Sequence, residues 1–154
     1  MQKQFEVVRK LRTWLIDFTN DLSIEELNEV PKGFNNNIAW NLAHLVSTQQ
    51  NLTYRLSGQP ALADDDFIER FKPGTKPEGF INQEEMAAIK TQLLTLIDRT
   101  EEDYDKGLFA SYKPFQNRYG IEVTKVEDVI TMICMHEGLH TGYIMALKRA
   151  LRNK

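Results

Sequence analysis

Apolar side chains recur at steps of three and four along four long stretches of this chain, the spacing that gathers them on one face of an α-helix. The first stretch runs from about Gln2 to Asn20 and carries Phe5, Val8, Leu11, Leu15 and Phe18. Ser23 with Glu26 three residues later forms a capping box, which predicts a short extra turn before Pro31 and Gly33 break the chain. A second helix starts near Asn37, capped by one of Asn35, Asn36 or Asn37. Its stripe is Ile38, Leu42, Leu45, Leu52 and Leu56, and Gly58 with Pro60 supplies the stop.

Residues 58–81 lose the pattern: prolines and glycines punctuate them around the acidic run Asp64, Asp65 and Asp66, so they are expected to be a long connection with a solvated acidic loop. Asn82 with Glu85 announces a third helix through Met86, Ile89, Leu93, Leu96, Ile97 and Tyr104, which Gly107 ends. A second connection, holding Tyr112, Pro114, Phe115 and Tyr119, leads to Thr124 with Glu127, the clearest capping box in the chain. The fourth helix then continues close to the C-terminus. No stretch shows a convincing period of two, so the fold class is all-α, a four-helix bundle in one domain spanning residues 1–154. A connection of about 20 residues can reach about 65 Å, enough to return along a helix. Helices two and three are therefore expected to run parallel, in an up-down-down-up bundle with long connections between helices two and three and between three and four.

Composition narrows the partners. The chain has 154 residues, 42% of them hydrophobic, which suffices for a core without disulfide staples. Lys and Arg number 19 against 22 Asp and Glu, and no basic run interleaves with aromatics, so no nucleic-acid partner is predicted. The first 18 residues spread Lys3, Arg9, Lys10 and Arg12 among apolar side chains and lack the uninterrupted stretch that export or membrane insertion requires. A cytoplasmic protein with no membrane partner is expected, and the single cysteine, Cys134, fits a reducing compartment. Cys134 points away from the histidine pair described next and reads as a small core residue.

The chain's three histidines carry the candidate chemistry. His136 and His140 lie one turn apart on the face shared with Val129, Ile133, Ile144 and Leu147, so both point inward and can reach one ion from one helix. His44 lies at the flank of the second helix's apolar stripe, in line with Trp40, Ser47, Thr48 and Asn51. That wetter face is a candidate pocket wall, and Trp40 and Tyr143 are candidates to line it. An interior histidine is ordinarily a hydrogen-bonded core residue, so spacing alone leaves metal binding and core packing both open.

His136, Glu137, Gly138, Leu139 and His140 also spell the H-E-x-x-H signature of zinc peptidases, in which the glutamate is the general base. Only 14 residues follow His140, among them no His, Asp or Glu, and Tyr143 and Ala146 replace the extended H-x-x-G-x-x-H form. Peptidase activity is the least favoured reading. Glu137 stays a candidate base, with a partner that supports a metal ligand from behind or an ordinary surface-edge glutamate as its alternatives.

The run from Pro31 and Gly33 through Asn37, Ile38, Ala39, Trp40 and Leu42 to His44, together with the segment from His136 to Ile144, resembles the DinB-like superfamily over nearly the whole chain. The resemblance implies an up-down-down-up bundle, a divalent metal such as nickel, zinc or iron on His44, His136 and His140 with water completing the shell, and frequently a homodimer. Some branches resemble thiol-dependent S-transferases or isomerases that use a low-molecular-weight thiol. Where relatives often carry Arg and Gln around the glycine after the final histidine, this chain has Thr141, Gly142 and Tyr143. The expected function is a metal-dependent thiol S-transferase or small-molecule hydrolase acting on a small-molecule substrate. The alternative is a non-catalytic metal-binding or stress-response module, and a third reading has the histidines merely pack the core.

Overall fold

The computed structural model describes residues 1–153. Four long helices form a bundle: α1 (Gln2–Phe18), α3 (Ile38–Thr53), α5 (Gln83–Asp105) and α6 (Val126–Arg152). Two short helices, α2 (Ile24–Asn28) and α4 (Asp65–Arg70), lie in the connections. A two-residue hairpin pairs β1 (Phe115–Gln116) antiparallel with β2 (Glu122–Val123) just before α6. The chain is all-α apart from that hairpin, as its periodicity predicts, and no helix among the described residues is long and apolar enough to cross a membrane.

Contacts between side chains fix the helix directions. α1 and α3 each pack on both α5 and α6. Cys134 reaches the carbonyl of Gln4 while Arg152 reaches Asp21 just past the end of α1, so α1 and α6 run parallel. Arg9 meets Asp98 and Glu101 whereas Arg12 meets Leu93, so α1 and α5 run antiparallel. Gln49 bonds Thr100 and Tyr54 bonds Asp103, which makes α3 parallel to α5. In sequence order the four long helices thus run up, down, down, up.

Helix ends follow the local chemistry, with three departures. Ser23 and Glu26 form the full capping box, and the Asn37 side chain accepts from the Trp40 amide at 2.8 Å to open α3. Asn82 caps α5, but the Glu85 carboxylate turns to Arg70 instead of back to the cap. The box expected at Thr124 and Glu127 does not form. Thr124 donates through its amide and hydroxyl to Asp128, Glu127 accepts from the Tyr104 hydroxyl, and α6 opens after Lys125 with no side-chain cap. The acidic run is no free loop either: Asp64 accepts from the amides of Asp66 and Phe67 and caps α4, with Asp65 and Asp66 in its first turn, where the helix dipole favours carboxylates.

The core divides into two apolar clusters. One gathers Leu15, Leu42, Leu45, Ile89, Leu93, Ile144 and Leu147; the other gathers Phe5, Val8, Tyr54, Ile97, Val129 and Ile133. Along α1, α3 and α6 a buried polar residue sits at the division: Arg12, Gln49 and Glu137. Arg12, fully buried, occupies the place on the α1 stripe that Leu11 was expected to fill, and Leu11 is half-buried beside it. α3 is buried from Ile38 through Gln50, because α4 and the connections cover the side that the other long helices leave open.

Candidate metal centre

His44 on α3 and His136 and His140 on α6 come together. Their ring centroids lie 5.2 Å (His44 to His136), 4.9 Å (His44 to His140) and 4.4 Å (His136 to His140) apart. One nitrogen from each falls within 4.8 Å of the other two. Nitrogens sharing a tetrahedral ion at about 2.0–2.1 Å lie about 3.4 Å apart, so side-chain adjustments on the order of 1 Å close the set.

The partners of two of the rings settle which nitrogens are free. His44 Nδ1 is 2.6 Å from the carbonyl of Phe71, which can only accept, so that nitrogen carries the proton. Nε2 then holds the lone pair, with the Thr48 hydroxyl 3.2 Å away. His140 Nδ1 is 2.7 Å from Oδ1 of Asn41, whose Nδ2 donates to the Asn37 carbonyl at 2.6 Å. That second bond orients the amide, so His140 also donates from Nδ1 and presents Nε2. Such anchored imidazoles are the usual outer support of a metal-binding histidine. Trp40 stacks on His44 with centroids 4.5 Å apart and planes 12° from parallel, which holds the ring's plane.

Burial keeps the imidazoles neutral and ligand-ready. His44 is pushed below its ordinary value mainly by loss of water, against which the Phe71 carbonyl works. His136 is pushed down to about 2, first by burial and then by the neighbouring His140, His44 and Arg12, and His140 to about 4 by burial and His44. The positive charge of Arg118 acts on all three rings in the same direction.

The cluster faces a pocket of about 670 Å³. Trp40 and Tyr143 line it, as does the apolar α6 edge of Met132, Met135 and Leu139. Two segments whose reach the sequence did not reveal complete the wall. One is the stretch after α4, held by the Trp40 indole N–H donating to Thr75 at 3.2 Å. The other is the hairpin turn carrying Asn117, Arg118 and Tyr119. Cys134 stays away from the pocket, against the Gln4 carbonyl, with its thiol pushed up mainly by burial.

Glu137 does not join the cluster. It is fully buried and absent from the pocket wall, and its Oε1 accepts from Arg12 Nε at 3.0 Å and Nη2 at 2.6 Å. Burial pushes its carboxyl up and the guanidinium pulls it back. The role of a base beside the histidines is thereby corrected: one residue along α6 is about 100° of rotation, enough to turn Glu137 from the pocket into the core. The peptidase arrangement, which needs that glutamate beside the ion, has no counterpart here.

The residues present fit a divalent ion. Three neutral nitrogens from two helices converge with their second nitrogens anchored or free, and among the described residues no carboxylate lines the pocket that would close the shell of a bound ion. Fold and site together define a helical-bundle protein with a candidate three-histidine metal centre open to a pocket. The sequence profile of the DinB superfamily matches residues 8–144, and the chain belongs to that superfamily. No curated protein matches the chain.

Proposed function

We propose that this chain is a metal-dependent enzyme acting on small molecules, a thiol S-transferase or a small-molecule hydrolase, with His44, His136 and His140 as ligands of nickel, zinc or iron. The observation that carries the reading is the three-nitrogen cluster opening into a pocket of about 670 Å³, within the 300–1,000 Å³ range usual for small-ligand sites. A divalent ion held there would supply Lewis acidity and lower the pKa of a bound thiol or water. The chain's own groups do the rest. Phe71 and Asn41 hold two imidazoles with Nε2 forward, and Trp40 fixes the His44 plane. Met132, Met135 and Leu139 give an apolar body something to lie on. With Glu137 turned into the core, no carboxylate of the pocket wall is placed to take the proton that a thiol or water would give up, and solvent in the open pocket would accept it. A storage or structural site would instead use four closed protein ligands. A small-molecule substrate and a homodimeric assembly belong to the same reading.

Elemental analysis of purified protein tests the first half. We expect about one equivalent of divalent metal per chain, and near-complete loss in His140→Ala at unchanged helical content. Metal content that survives His140→Ala would sink the three-histidine site. A turnover screen of several thiols against electrophiles, with and without chelator, tests the second half: chelator-insensitive or absent turnover overturns the enzyme reading.

A further inference from the structure

The pocket mouth has a charge pattern opposite to that of the whole molecule. The chain is acidic, with a formal charge of -3 and 22 Asp and Glu, yet none of those carboxylates lines the pocket, while Lys76 and Arg118 both do. Of the eight arginines, six hold a carboxylate: Arg9, Arg12, Arg55, Arg70, Arg99 and Arg152. Arg118 has no such partner among the described residues. It is exposed at the rim, so leaving it unpaired is inexpensive, and its five N–H donors stay free for an oxyanion.

Arg118 is also held in place. Its turn closes with the Asn117 side chain accepting from the amides of Tyr119 at 2.9 Å and Ile121 at 3.0 Å, and with the Gly120 amide reaching the Asn117 carbonyl at 3.0 Å. Gly120 takes φ 77°, a conformation that glycine adopts without strain. Asn117 Nδ2 further contacts the Met132 sulfur on α6 at 3.5 Å, which ties the turn to the pocket wall. The arginine therefore projects from a braced hairpin close enough for its charge to act on all three histidines.

We infer that the pocket selects amphipathic organic anions: a carboxylate, sulfonate or phosphate group pairs with Arg118, an apolar body lies along Met132, Met135, Leu139 and Tyr143, and Lys76 adds a weaker, longer-range attraction. The inference rests on this pocket being the substrate site, and it makes Arg118 a specificity-determining residue. Bidentate pairing of guanidinium with two oxygens of the anion supplies direction as well as attraction.

The test uses two fluorescent probes with the same rings, 8-anilinonaphthalene-1-sulfonate and its uncharged counterpart N-phenyl-1-naphthylamine, titrated into the protein as purified, with its metal content measured on the same sample. We expect the sulfonate to bind about tenfold more tightly. Arg118→Gln should erase that preference while leaving the neutral probe's affinity and the metal content unchanged. Lys76→Gln should reduce it about twofold, and raising salt to 0.5 M should shrink it in the wild type. Equal affinity of the two probes, binding of neither, or a sulfonate preference that survives Arg118→Gln overturns the inference. Protein that carries no metal yet shows the Arg118-dependent preference keeps this inference and discards the metal-dependent enzyme, so the two failures read differently.

Discussion

Two polar clusters meet on α6 at adjacent residues, and they solve burial in opposite ways. Glu137 faces the core, where Arg12 spends all five of its donors: two on Glu137 and one each on Gln49, Leu93 and Leu45. His136 faces the pocket beside His44 and His140, and there the pairing stops halfway, with the outer nitrogens of His44 and His140 anchored and the inner ones presented. In the core cluster the guanidinium is fully matched, and Glu137 answers it through Oε1 alone, its Oε2 having no hydrogen-bond partner. The pocket cluster stays neutral because nothing matches a charge there. A complete set of partners marks a group whose work is holding the bundle, and a half-complete set of convergent lone pairs marks a place prepared for something else to bind.

The sharpest way to break this contrast is to remove one partner of the closed cluster. Arg12→Met leaves Glu137 buried and unpaired, which costs about 3–5 kcal/mol for a pair of this kind. For a chain of this size that is a fall in Tm of about 10–15 °C. Removing both charges in Arg12→Met with Glu137→Leu should recover most of the loss. Metal content of the double variant should equal that of the wild type. If the single variant melts like the wild type, Arg12 is not the bond between the two apolar clusters that its geometry describes.

pH probes the open cluster in the metal-free protein. Burial and the neighbouring rings push His136 down to about 2 and His140 down to about 4 in the folded chain, against an ordinary 6.5 in the unfolded one. Between pH 6.5 and 4 the unfolded state therefore binds more protons, so stability falls as pH is lowered through that window and is level above it. For His140 the full shift corresponds to about 3 kcal/mol at most. Chelator-treated protein should hold its Tm from pH 9 to 7 and lose it steadily below 6.5, with a shallower loss in His140→Gln. A flat profile across the window would mean that burial does not keep these rings neutral.

How far the sequence disclosed all this differs between the same two clusters. The pairing of His136 with His140 follows from helical spacing alone, and the phase of His44 beside Trp40 and Thr48 showed the wetter face of α3. What anchors the rings was hidden: the Phe71 carbonyl belongs to the end of α4, a six-residue helix whose acidic opening looked like loop. The closed cluster had a signal that went unused, because Arg12 falls at the step from Val8 to Leu15 that a core position requires. Arginine at such a place reads as surface until its partners on α3, α5 and α6 are known. Glu137 shows the limit of motif spelling, since the same five residues serve a peptidase when the glutamate faces the metal and a core ion pair when it does not. Arg118 was not singled out in the connection that holds Tyr112, Pro114, Phe115 and Tyr119. The turn signal of Asn117 and Gly120 marks a bend but not what the bend reaches.

A smaller change separates anchoring from ligation. Asn41→Ala removes the acceptor that holds His140 Nδ1 yet leaves all three candidate ligands in place. Loss of such an outer partner costs about 10- to 100-fold in metal affinity, or about 1.4–2.7 kcal/mol. Competition with a chelating dye should show that weakening with the stoichiometry intact at saturating metal. Unchanged affinity would leave His140 oriented by packing alone.

The smallest effect belongs to an ion pair that resembles the core one in everything except burial. Arg9, one turn before Arg12 on α1, contacts Asp98 at 2.6 Å and Glu101 at 2.5 Å, distances as short as those in the core. Its side chain is 35% exposed and that of Asp98 54%, so water and salt screen both charges and the unpaired partner is resolvated when Arg9 is removed. Arg9→Met should therefore lower stability by at most about 1 kcal/mol, and that little should vanish at 0.5 M salt, whereas the deficit of Arg12→Met should persist there because no ion reaches the core. Denaturant melts of the two single variants at low and high salt make the comparison directly. Equal losses in the two would mean that the number of contacts, and not their removal from water, decides what an ion pair contributes to this bundle.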